Sequence, residues 1–188
     1  MTYKEYKEIL EYELFRGKKV SIFNQFRIKH LQPNTNCMFL ARKMWFLYSQ
    51  GGILRKISKL YYLRIVHRFG CCIFAKANVG RCFWIEHPIG IVIGNCRIGN
   101  EFTIHQNTTI GVKHRYDDSK GLVPLIGNNV HLCANACILG NISICDNVTI
   151  GAGSIVNRSI EMPGTYVGVP AKQVNGKKDG YENTDSIE

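Results

Sequence analysis

Six histidines and eight cysteines are the residues of this chain that could move a proton or attack a substrate. Imidazole titrates near neutral pH, so a histidine can serve as a general base there. His87 directly follows the carboxylate of Glu86, and His114 lies close to Asp117 and Asp118. The sequence therefore leaves a catalytic role open for one or two of the histidines.

The cysteines are expected to remain free thiols that pack as small apolar groups. No pair has CxxC spacing and no combination with histidine resembles a zinc site, so we predict no metal. No base is paired with a cysteine by spacing, which argues against covalent catalysis. The charged amino terminus and the lack of an 18-residue apolar run predict neither a signal peptide nor a transmembrane helix, and hence a cytoplasmic location.

A repeat of six residues runs through the second half of the chain. Branched aliphatic residues or leucine recur at every sixth position from Ile126 to Val156, and a mostly small or β-branched residue follows each after four places. The same six-residue step joins Ile98, Ile104 and Ile110. It also joins Val79, Ile85 and Ile91, with one extra residue between Ile91 and Ile98. Period six is typical of a β-helix whose first position points inward, with Asn and Gly at turns that need unusual backbone angles.

Three hexads close one triangular coil, and coils stack about 4.8 Å apart. About twelve hexads therefore predict a mainly β fold, a parallel β-helix of about four coils over residues 71–174. Residues 112–125 are polar and break the repeat, so we expect an extruded loop. Residues 175–188 are expected to form a flexible polar tail.

Residues 1–70 have a different pattern, with apolar residues every three or four positions, which predicts a short α-helical N-terminal domain of three helices. This part holds 14 Lys/Arg and 4 Asp/Glu, whereas the rest holds 10 of each, so it carries the whole net charge of +10. Such a surface fits either peripheral contact with an anionic membrane at its inner face or the outside of a helical trimerisation cap. No nucleic-acid-binding motif accompanies the charge, so nucleic acid is not an expected partner.

Residues 79–174 resemble the hexapeptide-repeat acyltransferases with a left-handed parallel β-helix, and most closely their serine acetyltransferase branch. The matching strings are Glu86-His87-Pro88-Ile89-Gly90-Ile91-Val92-Ile93-Gly94, Ile150-Gly151-Ala152-Gly153-Ser154 and Gly168-Val169-Pro170-Ala171-Lys172. The first string carries the branch's acidic residue, histidine and Gly-Ile-Val-Ile-Gly, whereas the other two are shared more widely.

The resemblance implies an O-acetyltransferase that uses acetyl-CoA as co-substrate and works as a homotrimer with active sites between neighbouring β-helices. The family's general base, which takes the proton from the acceptor hydroxyl, maps onto His87. The family's acidic neighbour, an Asp that binds the amino group of serine, maps onto Glu86, which is expected to be an acceptor-side or an orienting carboxylate. His114 is the second choice for the base, because other branches place theirs on such a loop. The positions that match the family's coenzyme contacts are Gly111, Ala134, Gly151 and Ala152, with Lys172 as a partner for a phosphate.

Several departures from the family pattern bear on the acceptor. An Asp-Ile-His-Pro string that positions the catalytic histidine of the family is replaced here by Cys72-Ile73-Phe74-Ala75, and a His-Pro pair of its loop is Val123-Pro124. The string from Ile104 to His114 resembles that of enzymes that acetylate sugars. Together these features predict a sugar hydroxyl of a capsule, O-antigen or related glycan as the acceptor.

Two alternatives stay open. L-serine is the other acceptor, in cysteine biosynthesis, and a non-catalytic β-helix scaffold is an alternative of another class. Of the remaining histidines, His105 is expected at a solvated turn, His131 has no expected role, and His30 and His67 are expected to be structural.

Overall fold

Four helices come first along the chain and fifteen short strands follow, in a computed structural model that describes residues 1–112 and 121–174. The helices are α1 (Tyr3–Phe15), α2 (Ile22–His30), α3 (Pro33–Ser49) and α4 (Gly52–Phe69). The strands are β1 (Cys72–Ile73), β2 (Asn78–Val79), β3 (Trp84–Ile85), β4 (Val92–Ile93), β5 (Arg97–Ile98), β6 (Thr103–Ile104), β7 (Thr109–Gly111), β8 (Leu125–Ile126), β9 (Val130–Leu132), β10 (Cys137–Leu139), β11 (Ser143–Ile144), β12 (Val148–Ile150), β13 (Ile155–Val156), β14 (Gly164–Val167) and β15 (Lys172–Gln173).

The strands form three parallel sheets in which most strands pair with the third strand along the chain. The first sheet has the order β1-β4-β7-β10-β13, the second β2-β5-β8-β11, and the third β3-β6-β9-β12-β14 with β15 added antiparallel. Each run through the three sheets is one coil of a parallel β-helix. The structure therefore contains four three-stranded coils followed by a partial fifth, which confirms the predicted β-helix.

The aliphatic ladder read from the sequence faces the interior. Every sixth residue from Ile126 to Val156 is buried, and so are the residues four places later, from Val130 to Ile160. At the turns, Asn107 and Asn135 adopt φ angles of 58° and 61°, in the left-handed region that asparagine tolerates better than most residues. Both features of the six-residue pattern are thus confirmed.

The helical part has four helices where the sequence pattern predicted three. The helix that was missed, α2, has no buried residue, and Ile22 and Phe23 on it are highly exposed. Ile28 of α2 packs only partly against the cluster that Leu10, Leu14 and Phe46 form. Local signals do mark it, since Ser21 at the N-cap accepts a hydrogen bond from Asn24 N at 3.4 Å.

The helices cover the open end of the first coil. Met38 and Met44 of α3 and Ile65 of α4 belong to the same apolar core as Ile73 and Phe83 of that coil. This packing shields the end of the aliphatic ladder, which would otherwise face water. Within the described ranges, none of the helices is both long and apolar enough to span a membrane.

A buried ion pair joins the helical part to the first coil. The Arg42 guanidinium on α3 donates to both Glu13 carboxylate oxygens on α1, at 2.9 and 2.6 Å, and both side chains are buried. Arg42 also donates to the Val79 carbonyl at 2.9 Å and to the Gly80 carbonyl, while Phe83 N donates to Glu13 at 2.9 Å. Five hydrogen bonds thus connect α1, α3 and one turn of the β-helix.

Side-chain hydrogen bonds also join successive coils along the edge between the second and third sheets. Asn100 Oδ1 accepts from Arg81 N at 2.8 Å, Asn128 Oδ1 from Asn100 N at 2.9 Å, and Asp146 Oδ1 from Asn128 N at 2.7 Å. The backbone N–H of Asn128, and then its side-chain amide, favour the ionised carboxylate and hold the pKa of Asp146 below its usual range.

We expect this depressed pKa to make the fold acid-sensitive. The stabilisation by ionised Asp146 is complete above the ordinary aspartate pKa, near 3.8, and is lost as the pH falls through the lower folded-state pKa. The variant Asp146→Asn keeps an oxygen acceptor but cannot titrate, so its free energy of unfolding should fall less steeply over that range. Urea unfolding at a series of pH values measures this, and equal slopes for both proteins would contradict it.

Candidate active site

The turn after β3 presents His87 on a backbone that is fixed from both sides. Glu86 N donates to the Ile104 carbonyl at 3.0 Å, which joins this turn to the next coil, and Ile89 N donates to the His87 carbonyl at 2.9 Å. Pro88 is buried, while the His87 side chain is exposed and Glu86 is half-buried. The imidazole therefore lies at the protein surface on a rigid support, as a general base requires.

Gly90 closes this turn in a conformation that another residue would strain. Its φ is 64°, and a Cβ built there would lie 2.3 Å from Asn107 Oδ1 in the next coil. Asn107 N in turn donates to the Ile89 carbonyl at 2.9 Å. The glycine of the sequence motif thus lets two coils approach closely directly beside His87.

Most of the expected coenzyme residues lie on the same edge of the β-helix as His87. Ile104 is opposite Ile85, Leu132 opposite Ile104, and Ile150 opposite Leu132. The turns that follow these residues consequently stack, about 4.8 Å apart per coil. A hydrogen bond of 2.9 Å from Gly153 N to the Ala134 carbonyl shows this contact directly. The edge carries His87, Ala134, Gly151 and Ala152.

The other expected site residues are not brought to this edge. Gly111 ends β7, at the edge between the first and second sheets, and a Cβ built on it would meet nothing within 4 Å. Lys172 is exposed in β15 at the last coil. His114 lies outside the described residues. Within one chain, the structure therefore separates Gly111 from His87.

His105 contributes to the site more than the sequence suggested. It lies in the turn after β6, one coil beyond His87, and its ring centroid is 6.4 Å from that of His87 in an edge-on arrangement. The side chain is half-buried rather than solvated. The strands that flank these two turns are offset by 19 residues, with Ile85 opposite Ile104, and by 17 residues, with Ile93 opposite Ile110, so a regular repeat did not indicate this contact.

Two clefts meet at Glu86 beside this edge. The first, of about 540 Å³, is lined by Pro33 and Arg68 of the helical part and by Glu86 and His87. The second, of about 330 Å³, is lined by Tyr12, Arg16, Trp84, Glu86 and Thr103 among others. The Arg16 guanidinium lies 5.1 Å from the centre of the Trp84 ring. Each of the two clefts is thus lined by Glu86 and by one arginine of residues 1–70, Arg68 in the first and Arg16 in the second.

The residue that replaces the family's positioning aspartate is directed towards a helix. Burial and then the neighbouring Cys72 raise the pKa of Tyr62 on α4, which places this cysteine against that helix. Burial raises the pKa of Cys96 to about 12 and also raises the pKa of Cys82 and Cys145, so these three thiols are poor nucleophiles.

Comparisons with known proteins match the β-helix. The family model described as bacterial transferase hexapeptide (six repeats) matches residues 124–158. The serine acetyltransferase of Staphylococcus xylosus is 43% identical over 112 residues, which are 59% of this chain and 50% of that protein. The chain spans about half the length of the curated relatives it matches.

Solved structures extend the similarity into the helical part. The crystal structure of Neisseria gonorrhoeae serine acetyltransferase is 28% identical, with a TM-score of 0.77 over 92% of this chain and 67% of that chain. A serine acetyltransferase solved in complex with CoA has a TM-score of 0.74 over 92% of this chain and 71% of that chain. Because this second structure is 24% identical in sequence, its similarity to the chain shows a shared fold only.

Proposed function

We propose that this chain, a hexapeptide-repeat protein that resembles the serine acetyltransferases, transfers the acetyl group of acetyl-CoA to a hydroxyl oxygen, with L-serine as the acceptor. The observation that carries the proposal is His87, presented on the edge that also holds three of the expected coenzyme positions. The names of the relatives favour serine over the glycan acceptor that the sequence alone suggested.

In the proposed reaction, His87 takes the proton of the acceptor hydroxyl while its oxygen attacks the thioester carbonyl carbon. The tetrahedral intermediate then expels the coenzyme thiolate, and the proton held by His87 is returned to the sulfur. Backbone N–H groups of the stacked turns can donate to the oxyanion. An ester forms and a thioester breaks, with no covalent bond to the protein.

The residues around Glu86 suit a zwitterionic acceptor. The Glu86 carboxylate can bind an ammonium group, and Arg16 in the adjoining cleft can bind a carboxylate in a bidentate manner. Both groups are present in serine, whose hydroxyl would then extend towards His87. This arrangement supports the assignment of Glu86 to the acceptor side.

The coenzyme arm is proposed to run along the edge that carries Ala134, Gly151 and Ala152, with Lys172 near a phosphate. Small residues there leave the turn backbone accessible for hydrogen bonds to the pantetheine amides. Because Gly111 lies at a different edge, we propose that a neighbouring copy supplies Gly111 and His114 in a homotrimer. His114 then serves as an acceptor or coenzyme contact, or as the base if His87 is not.

A glycan hydroxyl is the second candidate acceptor, and one observation favours it. The cleft beside Glu86 has aromatic walls from Tyr12 and Trp84, and its volume of about 330 Å³ is within the range of pockets for small organic ligands. Aromatic faces with nearby charged groups are well suited to stacking against a sugar ring. The same base chemistry would apply to a sugar hydroxyl.

An acceptor screen tests the proposal. Purified protein with acetyl-CoA is incubated with L-serine, D-serine, neutral sugars or acidic sugars, and the release of free coenzyme thiol is followed. We expect release with L-serine well above the acceptor-free rate. Turnover with sugars alone would replace serine with the second candidate. Absence of both turnover and calorimetric acetyl-CoA binding would favour a non-catalytic scaffold.

A further inference from the structure

The surface of the helical part is cationic over an unusually long stretch of chain. Residues 14–70 contain 12 Lys/Arg and no Asp or Glu. The Arg42 guanidinium is satisfied by the buried Glu13, but most of the other cations lie at the surface. A surface of one sign attracts an anionic partner over distances of about a Debye length.

One face of α4 combines these charges with exposed apolar side chains. At about 100° per residue, six residues fall within an arc of about 100° on the side opposite the buried Ile65 and Ser58. All six are exposed, and Ile53 and Leu60 keep 73% and 63% of their side-chain surface in water. We call this face the outer stripe of α4; its members are Ile53, Lys56, Ile57, Leu60, Arg64 and His67.

The neighbouring helix α2 adds exposed aromatic side chains. Phe23 and Phe26 are 76% and 56% exposed, and α2 carries Arg27 and Lys29 with no acidic residue. The C-terminal ends of α2 and α4 are joined by a hydrogen bond of 3.1 Å from Arg68 to the His30 carbonyl. Arg68 also lines the cleft at His87, so this surface continues up to the proposed active site.

We propose that the outer stripe of α4, with the exposed face of α2, docks this protein onto an anionic lipid surface. Lysine and arginine attract the head groups, and isoleucine, leucine and phenylalanine insert below them. A nucleic acid or acidic polysaccharide would use the charges but leave the apolar side chains in water. A second copy that presents the same stripe would place cations against cations. A lipid surface is therefore the partner that contacts both the basic and the apolar side chains of the stripe.

Vesicle co-sedimentation tests this proposal without any measurement of activity. The full chain is mixed with vesicles of phosphatidylcholine alone or of equal parts phosphatidylcholine and phosphatidylglycerol. Two double variants alter exposed positions only: Ile53→Ser/Leu60→Ser removes apolar surface, and Lys56→Glu/Arg64→Glu reverses charge. The matched control, Arg97→Glu/Arg158→Glu, reverses two exposed charges on the β-helix.

We expect wild type and the control to sediment with anionic vesicles and to remain in solution with neutral ones. Each basic residue near an anionic surface contributes about fivefold, so Lys56→Glu/Arg64→Glu should weaken binding about 30-fold or more. Ile53→Ser/Leu60→Ser should also weaken it clearly, because insertion is lost.

Three results would overturn the proposal. Wild type could fail to sediment with anionic vesicles, or Ile53→Ser/Leu60→Ser could bind them as wild type does, which would leave a purely electrostatic surface. The third is a smaller assembly for either α4 variant in sedimentation velocity without lipid, which would assign the stripe to an interface between copies. Because the acceptor screen measures thiol release in solution, failure of the one proposal is distinguishable from failure of the other.

Discussion

Replacing His87 with alanine should lower the rate of acetyl transfer at least about a hundredfold, since a positioned general base contributes about 10²–10⁴-fold. The imidazole is exposed, so its removal leaves the buried Pro88 and the hydrogen bonds of the turn in place. The loss should appear in kcat, with the KM for acetyl-CoA little changed, because the base acts on the acceptor proton and not on coenzyme binding. Free thiol release with L-serine measures both constants.

The matched control for this variant is His67→Ala, which removes an exposed imidazole of α4 that is not among the residues lining the cleft at His87. It should retain the wild-type rate, and thermal melting of both variants excludes a general loss of structure. Near-normal turnover by His87→Ala would contradict the assignment. In that case, loss of activity in His114→Ala would identify His114 as the base instead.

The β-helix could be predicted because the six-residue period of its aliphatic residues matches the period of the backbone coil. An aliphatic residue at every sixth position has one environment that buries all of them, the interior of a three-sided coil, and the structure buries the residues from Ile126 to Val156 in this way. The edge-on contact between His105 and His87 did not follow from the pattern, because the coils are offset by 19 residues at Ile85–Ile104 and by 17 at Ile93–Ile110.

The features that were not predictable depend on how separate elements dock. Helix α2 has no fully buried residue and packs through the partly buried Ile28, a contact that depends on where α1 and α3 lie. The distribution of Gly111 and His87 to different edges depends on where each strand falls in its coil. The Glu13–Arg42 pair joins residues 29 positions apart in a region where basic residues are common, so nothing local distinguishes Arg42 from its neighbours.

Disruption of the Glu13–Arg42 ion pair is expected to have the largest effect on the free energy of unfolding. Replacing Arg42 with methionine should lower the free energy of unfolding by about 3–5 kcal/mol, because the Glu13 carboxylate would remain buried without its cation. The carbonyls of Val79 and Gly80 would lose their donor as well, and the ring contacts of the guanidinium with Trp45 and Phe83 would be lost. Urea unfolding followed by circular dichroism measures the change, at one fixed protein concentration if the protein is oligomeric.

The matched control is Arg97→Met, which removes an exposed arginine and should change the free energy of unfolding by about 0.5 kcal/mol or less. The double variant Glu13→Leu/Arg42→Met removes both charges, so it should be more stable than Arg42→Met alone despite carrying one more substitution. This order distinguishes an unpaired buried charge from simple loss of packing. If the double variant were less stable than Arg42→Met by the full cost of Glu13→Leu alone, the two side chains would be uncoupled. Other contacts would then have to hold the helical part on the β-helix.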